Sequence, residues 1–287
     1  MKVRKAVVVA AGWGTRFLPL TKCQPKEMLP LMNKPLIQYA VEEAASCGIK
    51  QIVVITAPGV QAFADYFTPA PELESFLEQK AEDGLLEEVR KLTGLADICC
   101  VTQERRLGLG HAILMAKSVV GKEPFAVLLR DDVVDSQVLV LKQMLEVFNE
   151  YRTNILAVDR ISSQDSKKYG VIKPRSVSTG IYQVLGMIEK PEPEAAPSNL
   201  GIVGRYILMP EVFDALEATP PGRDREIQLT DALQLLLKKQ TIYALEFDGV
   251  RYDTGTPQGW LEAQVAFALK NPELGPGLRR HLNRLLN

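Results

Sequence analysis

The stretch Lys5-Ala6-Val7-Val8-Val9-Ala10-Ala11-Gly12-Trp13-Gly14-Thr15-Arg16 decides the fold. Its first half is apolar and β-branched at consecutive positions, as in a strand covered on both faces. That strand runs into Gly12-Trp13-Gly14, where glycine permits a tight turn and close approach of a ligand. The carboxyl edge of such a sheet is where open α/β folds bind ligands. Bare N–H groups there make a nest for an anion. Arg16, and Lys26 in the following Thr21-Lys22-Cys23-Gln24-Pro25-Lys26-Glu27-Met28-Leu29-Pro30, add fixed positive charge. The loop is not a Walker A motif, because no Gly-Lys-Ser/Thr follows. It is not a dinucleotide fingerprint, because Phe17 stands at the third glycine position. A turn serving only chain reversal is the competing reading. Two cations and two prolines in one loop weigh against it.

The same alternation continues outward. Helical spacing covers 35–47 and stops at Gly48, and a second buried strand covers 51–56. The charged stretch 71–92 predicts one or two surface helices broken near Asp83-Gly84. Strands at 97–102, 125–129 and 154–158 alternate with helices at 111–120 and 136–151. This order predicts a Rossmann-like α/β fold: a mixed, mostly parallel sheet with helices on both faces. From 169 to 191 the texture changes to a hairpin of short strands about a Ser-Thr-Gly turn, an inserted antiparallel subregion. Pro191–Pro197 reads as a proline-rich acidic loop. A strand at 199–209, helices at 210–218 and 229–239, a strand at 241–247 and helices at 259–270 and 272–287 complete the chain.

Composition narrows the class. The 287 residues carry 34 Lys plus Arg against 35 Asp plus Glu, a net charge of −1. A near-neutral chain has no global field to hold nucleic acid or an anionic membrane, so phosphate binding must be local. No apolar run approaches the ~18–20 residues of a membrane span. Cys23, Cys47, Cys99 and Cys100 form no metal knuckle or disulfide pattern, which suits a reducing, cytoplasmic setting.

Two acidic features stand near the phosphate loop. Asp131-Asp132 closes a buried strand, where carboxylates suit Mg²⁺, a hard cation that takes oxygen ligands; a solvated capping turn is the alternative. Asp253, in Tyr252-Asp253-Thr254-Gly255-Thr256, reads alone as a helix N-cap and gains interest as a partner for Asp131.

The loop through Pro30 resembles the signature of sugar-1-phosphate nucleotidyltransferases, most closely the bacterial UTP–glucose-1-phosphate uridylyltransferase branch. The insertion Glu72-Leu73-Glu74 through Leu86-Glu87-Glu88-Val89 is similar to that branch. So are Ser198-Asn199-Leu200-Gly201-Ile202-Val203-Gly204-Arg205-Tyr206 and Glu226-Ile227-Gln228-Leu229-Thr230-Asp231-Ala232. The likeness covers nearly the whole chain. It implies one nucleotidyltransferase domain over 1–287: a nucleotide half at 1–160, a sugar-phosphate half at 161–258, and terminal helices at 259–287 as a subunit contact.

The resemblance also implies roles. Nucleotide binding falls to Ala10, Ala11, Gly12 and Gly14, with Glu27 on the nucleoside and Gln103 and Gly108 reading the base. Gly170, Glu189, Lys190 and Val203 take the sugar phosphate, Asp131 and Asp253 take Mg²⁺, and Arg16 and Lys26 are catalytic. The substrates would be UTP and glucose 1-phosphate, the product UDP-glucose, and the assembly a homodimer or homotetramer. A thymidylyltransferase using dTTP and a non-catalytic nucleotide-sugar binder are the alternatives. Arg130 departs from the family, standing where relatives carry Pro or Gly; it can pair with an adjacent Asp and compete with Mg²⁺, or point away. Arg225 is a second departure, read as a surface change. His111 is read as local to a helix start, and Trp260 as core.

Overall fold

The computed structural model describes residues 1–286, the side chain of Arg223 excepted. Strand β1 (Lys5–Ala10) is followed by a loop of three short 3₁₀ turns. A two-residue hairpin, β2 (Pro30–Leu31) and β3 (Lys34–Pro35), then leads into α1 (Leu36–Ser46). Next come β4 (Gln51–Thr56), α2 (Ala62–Phe67), α3 (Pro71–Gln79), α4 (Asp83–Thr93) and β5 (Asp97–Thr102). The central stretch holds α5 (Leu109–Leu114), α6 (Lys117–Val120), β6 (Phe125–Leu129), β7 (Asp132–Asp135), α7 (Val140–Tyr151) and β8 (Asn154–Arg160). The antiparallel part is β9 (Gly170–Ser178), β10 (Ile181–Glu189) and β11 (Leu200–Leu208). The chain finishes with α8 (Val212–Ala218), α9 (Leu229–Leu236), β12 (Ile242–Glu246), β13 (Val250–Asp253), α10 (Pro257–Lys270) and α11 (Gly275–Leu286). Asn287, which closes the expected tail helix, lies outside the described residues.

The main sheet has nine strands in the order β5-β4-β1-β6-β11-β8-β12-β10-β9. The first four are mutually parallel, and β11 enters antiparallel to both β6 and β8. Why β1 sits centrally follows from its sequence. Val7 and Val9 pack into one core with α5, α8 and α9. Ala6, Val8 and Ala10 pack into the other with α1, α2 and α7. An uninterrupted apolar run is what a strand between two helical layers requires.

Several elements differ from their expected bounds for physical reasons. The helix expected over 136–151 begins at Val140, because Asp132–Asp135 forms β7 and pairs antiparallel with β13. That ribbon has only four residues per strand, too short for a periodicity signal. The helix expected over 111–120 is two short helices, and it starts before His111, at Leu109. Trp260 is half-buried rather than core; its Nε1 donates to Pro30 O at 2.9 Å and its ring meets Phe17 edge-on.

Candidate active site

The phosphate loop is held from behind. Leu29, Leu31 and Leu36 pack with Val133 and Ala263 in a third, small core, joined by Phe17 and Phe267. The loop is thus clamped between the β7–β13 ribbon and α10. Gly14 takes φ 66°, and its carbonyl accepts a hydrogen bond from Thr21 Oγ1 at 2.8 Å. A Cβ there would lie 3.0 Å from Thr21, so the turn needs glycine for space as well as for conformation.

The ribbon brings together the two acids expected to hold Mg²⁺. Asp132 and Asp253 are register partners across it, which brings Asp131 beside the end of β13. Thr254 N and Oγ1 both donate to Asp131 O, at 2.8 and 2.9 Å. The carboxylates converge on Gly255: a Cβ built there would meet Asp253 Oδ1 at 2.9 Å and Asp131 Oδ2 at 3.0 Å. Asp253 is not the helix cap that its position alone suggests. Thr256 caps α10 by accepting from Gly259 N, while Asp253 Oδ1 accepts from Gly255 N at 3.0 Å.

Cations surround Asp131. Lys26 Nζ lies 3.0 Å from its Oδ2 and Arg130 NH1 3.0 Å from its Oδ1. Burial works against ionisation of this carboxyl, but Arg130 and then Lys26 hold it well below the usual carboxylate range. Arg130 therefore does not point away. It is buried, and its other arm meets Glu27 Oε1 at 2.7 Å. Arg16 sits across the same space, its NH1 donating to Gly255 O at 3.4 Å.

Asp132 has a different job. Arg251 pairs with its Oδ1, and Gly204 N donates to its Oδ2 at 2.9 Å. That donor is free because β11 bulges between Ile202 and Tyr206, slipping its register against β8. Next to it, Arg205 forms a buried pair with Glu43, at 2.8 Å, and donates to Leu129 O at 2.8 Å. The bulge, the buried pair and the end of β6 form one frame around Asp131-Asp132.

Two adjoining cavities open onto this frame. One, of about 340 Å³, is lined by Ala11, Gly12, Lys26, Gln103 and Gly108. The other, of about 410 Å³, is lined by Arg16, Gly170, Glu189, Lys190, Val203 and Asp253. Asp131, Leu109, Leu129 and Glu226 border both. Ala10, Gly14 and Glu27 lie behind the cavity walls: Ala10 in β1, Gly14 in the turn, Glu27 against Arg130.

In the first cavity, Gln103 Nε2 donates to Gly108 O at 3.2 Å and lies 2.9 Å from His111 Nδ1. Burial, then Arg105, pushes the His111 pKa below its ordinary value, so a neutral ring accepts this bond. His111 thus orients a candidate base reader rather than serving only its own helix. Gly108 takes φ 96°, and a Cβ there would strike Glu226 at 2.6 Å. In the second cavity, Thr230 Oγ1 donates to Glu189 Oε2 at 2.6 Å. Lys190 takes φ 45° and donates its N–H to Tyr169 O at 3.0 Å. A Cβ on Gly170 would lie 2.8 Å from Thr230 Oγ1, so this glycine leaves room for the Glu189–Thr230 bond.

Sequence reasoning gave no role to Arg106, Glu226, Thr230 or Arg251. Glu226 and Thr230 stand inside a motif that was noticed without being assigned. Arg251 stands two positions before Asp253, the strand spacing that puts both on one face. Arg106 carried no signal beyond its charge.

Two adjoining cavities that share Asp131, with Arg16 and Lys190 lining one and Lys26 and Arg106 the other, suit a transferase that joins two phosphate esters. The chain belongs to the nucleotidyl transferase family, whose model matches residues 5–269. It is 46% identical over 284 residues to the UTP–glucose-1-phosphate uridylyltransferase of Staphylococcus epidermidis, covering 99% of each chain. It is 44% identical over 286 residues to the enzyme of that name from Bacillus subtilis, covering 100% of this chain and 98% of that one. Among solved structures, a UTP-bound UGPase from Acinetobacter baumannii matches with a TM-score of 0.92 at 37% identity, over 99% of this chain and 100% of that one. A UDP-glucose pyrophosphorylase complexed with UDP-glucose matches with a TM-score of 0.87 at 42% identity, over 94% of this chain and 100% of that one.

Proposed function

We propose that this chain transfers a uridylyl group from UTP to glucose 1-phosphate, giving UDP-glucose and pyrophosphate, with Mg²⁺ bound by Asp131 and Asp253. The observation that carries the reading is the grouping of side chains about Asp131, which borders both cavities: Lys26 pairs with it from one, while Asp253 and Arg16 meet it at Gly255 in the other. The relatives' names and ligands point to the same substrates.

A phosphate oxygen of glucose 1-phosphate attacks the α-phosphorus of UTP, and the bond from that phosphorus to the bridging oxygen of pyrophosphate breaks. The attacking oxygen is already ionised at neutral pH, so no general base is needed. The obstacle is repulsion between two anions. Lys26 and Arg16 stabilise charge on the α-phosphate and the leaving pyrophosphate, and Lys190 holds the sugar's phosphate while Glu189 accepts from sugar hydroxyls. Gln103 spends its Nε2 on the protein, which leaves Oε1 to accept from the N3–H of uracil. Asp131 and Asp253 would hold Mg²⁺, and the chemistry it would supply there is neutralisation of phosphate charge. Its fit rests on two hard oxygen donors; among the described residues no group of three His, Cys, Asp or Glu side chains completes a metal cluster. Phosphate oxygens and water would supply the remaining ligands.

Exposed Cys23, Cys99 and Cys100 are free thiols, which suits a cytoplasmic setting. Exposed Leu261 and Val265 on α10, Leu274 in the turn after it and Leu285 on α11 offer a surface for the expected homo-oligomer. No helix among the described residues is long and apolar enough to cross a membrane. The test is pyrophosphate release from UTP or dTTP with glucose 1-phosphate, with Mg²⁺ and with EDTA. Release that requires both UTP and Mg²⁺ is expected. Equal or better turnover of dTTP would move the reading to a thymidylyltransferase, and none with either to a non-catalytic binder.

A further inference from the structure

Arg106 lines the proposed nucleotide cavity and has been given no part in it. Its guanidinium carbon sits 3.5 Å from the centre of the Trp13 ring, and its Nε donates to Ala11 O at 3.0 Å. The contact spans 95 positions and ties the loop after β5 to the phosphate loop after β1. No carboxylate among the described residues pairs with Arg106. Its neighbours in that cavity wall are otherwise compensated: Lys26 faces Asp131, and Arg130 faces Asp131 and Glu27.

A guanidinium has five N–H donors and cannot lose its charge at physiological pH. Here one donor and the flat face are engaged, which fixes the group's position and leaves the terminal nitrogens for a ligand. Trp13 is 69% exposed, an unusual place for a large ring without a partner of its own. Stacking on a cation accounts for it. The pair forms a positively charged wall beside the glycine turn, where the sequence predicts an anion nest.

We propose that Arg106 is a nucleotide-binding residue that donates to the polyphosphate, and that Trp13 is its positioning residue. This deepens the uridylyltransferase reading and rests on it. A preset arm costs little ordering entropy when the nucleotide arrives, so it adds affinity rather than rate. Its effect belongs in the KM for UTP, with kcat and the KM for glucose 1-phosphate left nearly as they were.

The test uses the full chain and measures UTP and uridine affinity by calorimetry, with indole fluorescence as a second readout. The chain has 2 Trp residues, so Trp13→Phe isolates the signal of Trp13. Arg106→Gln is expected to weaken UTP binding about tenfold or more, as loss of a charge-assisted bond does, while uridine affinity stays unchanged. Trp13→Leu should weaken UTP binding in the same direction, and Trp13→Phe should largely restore it. Unchanged or tighter UTP binding in Arg106→Gln, or an equal loss for uridine, overturns the proposal. A wild-type chain that binds no UTP would instead sink the uridylyltransferase reading itself.

Discussion

Lys26 Nζ and Asp131 Oδ2 meet at 3.0 Å across 105 positions of sequence, joining the phosphate loop to the end of the neighbouring central strand. A cation paired with a carboxylate could exchange that partner for a triphosphate, as the proposed function requires. Lys26→Ala should therefore keep the fold, judged by circular dichroism and Tm. It should lose roughly 10²–10³ in kcat, the cost of removing one preorganised donor. Near-normal kcat would remove Lys26 from the chemistry.

Gly204 stands where no side chain fits. A Cβ there would lie 2.5 Å from Asp132 Oδ2 and 2.6 Å from Leu129 Cβ. Gly204→Ala must push Asp132 off Arg251 or shift the end of β6. A stability loss of about 1–3 kcal/mol is expected from overpacking alone. Activity should fall further than that loss explains, because Asp131 moves with its neighbour. Denaturant unfolding and kcat/KM measured on one sample would separate the two effects.

The Glu43–Arg205 pair is buried, and it also holds Leu141 N, at 2.9 Å, and Leu129 O. Arg205→Met leaves the Glu43 charge without its partner, at a cost of about 3–5 kcal/mol. Adding Glu43→Met should recover part of that loss if the charge is its source. A double variant no more stable than the single would mean that the hydrogen bonds to Leu129 and Leu141 matter more.

Neutral His111 accepts from Gln103, the residue proposed to read the base, and its pKa lies below the ordinary 6.5 because of burial and then Arg105. The neutral form is the one that supports this bond, so the arrangement is complete at neutral pH. It is lost as pH falls through the depressed pKa, in a window below 6.5. A protonated Nδ1 would face the Gln103 NH₂ donor to donor and turn the amide over. The KM for UTP should rise at acid pH while the KM for glucose 1-phosphate changes less. A His111→Asn variant with the same acid dependence of that KM would assign the effect elsewhere.

Much of this was legible in the sequence, and the limits are instructive. The run through Ala10 and Gly12 announced a two-sided strand ending in a glycine turn, because burial on both faces writes a continuous apolar pattern. Asp131 and Asp253 were nameable, but the ribbon that joins them was not. Four residues per strand give no period, and the pairing spans more than a hundred positions. Arg130 could be flagged but not oriented, since its direction depends on Glu27 arriving from a distant turn. Trp13–Arg106 left no trace, because a stacked pair from two loops has no spacing rule.

The wall common to the two cavities, formed by Asp131, Leu109, Leu129 and Glu226, bears on how a catalytic cycle ends. In the proposed reaction, a nucleotide sugar that occupied both cavities would have to break its hold on both flanks to depart. Departure of that product would then be the step most open to retention.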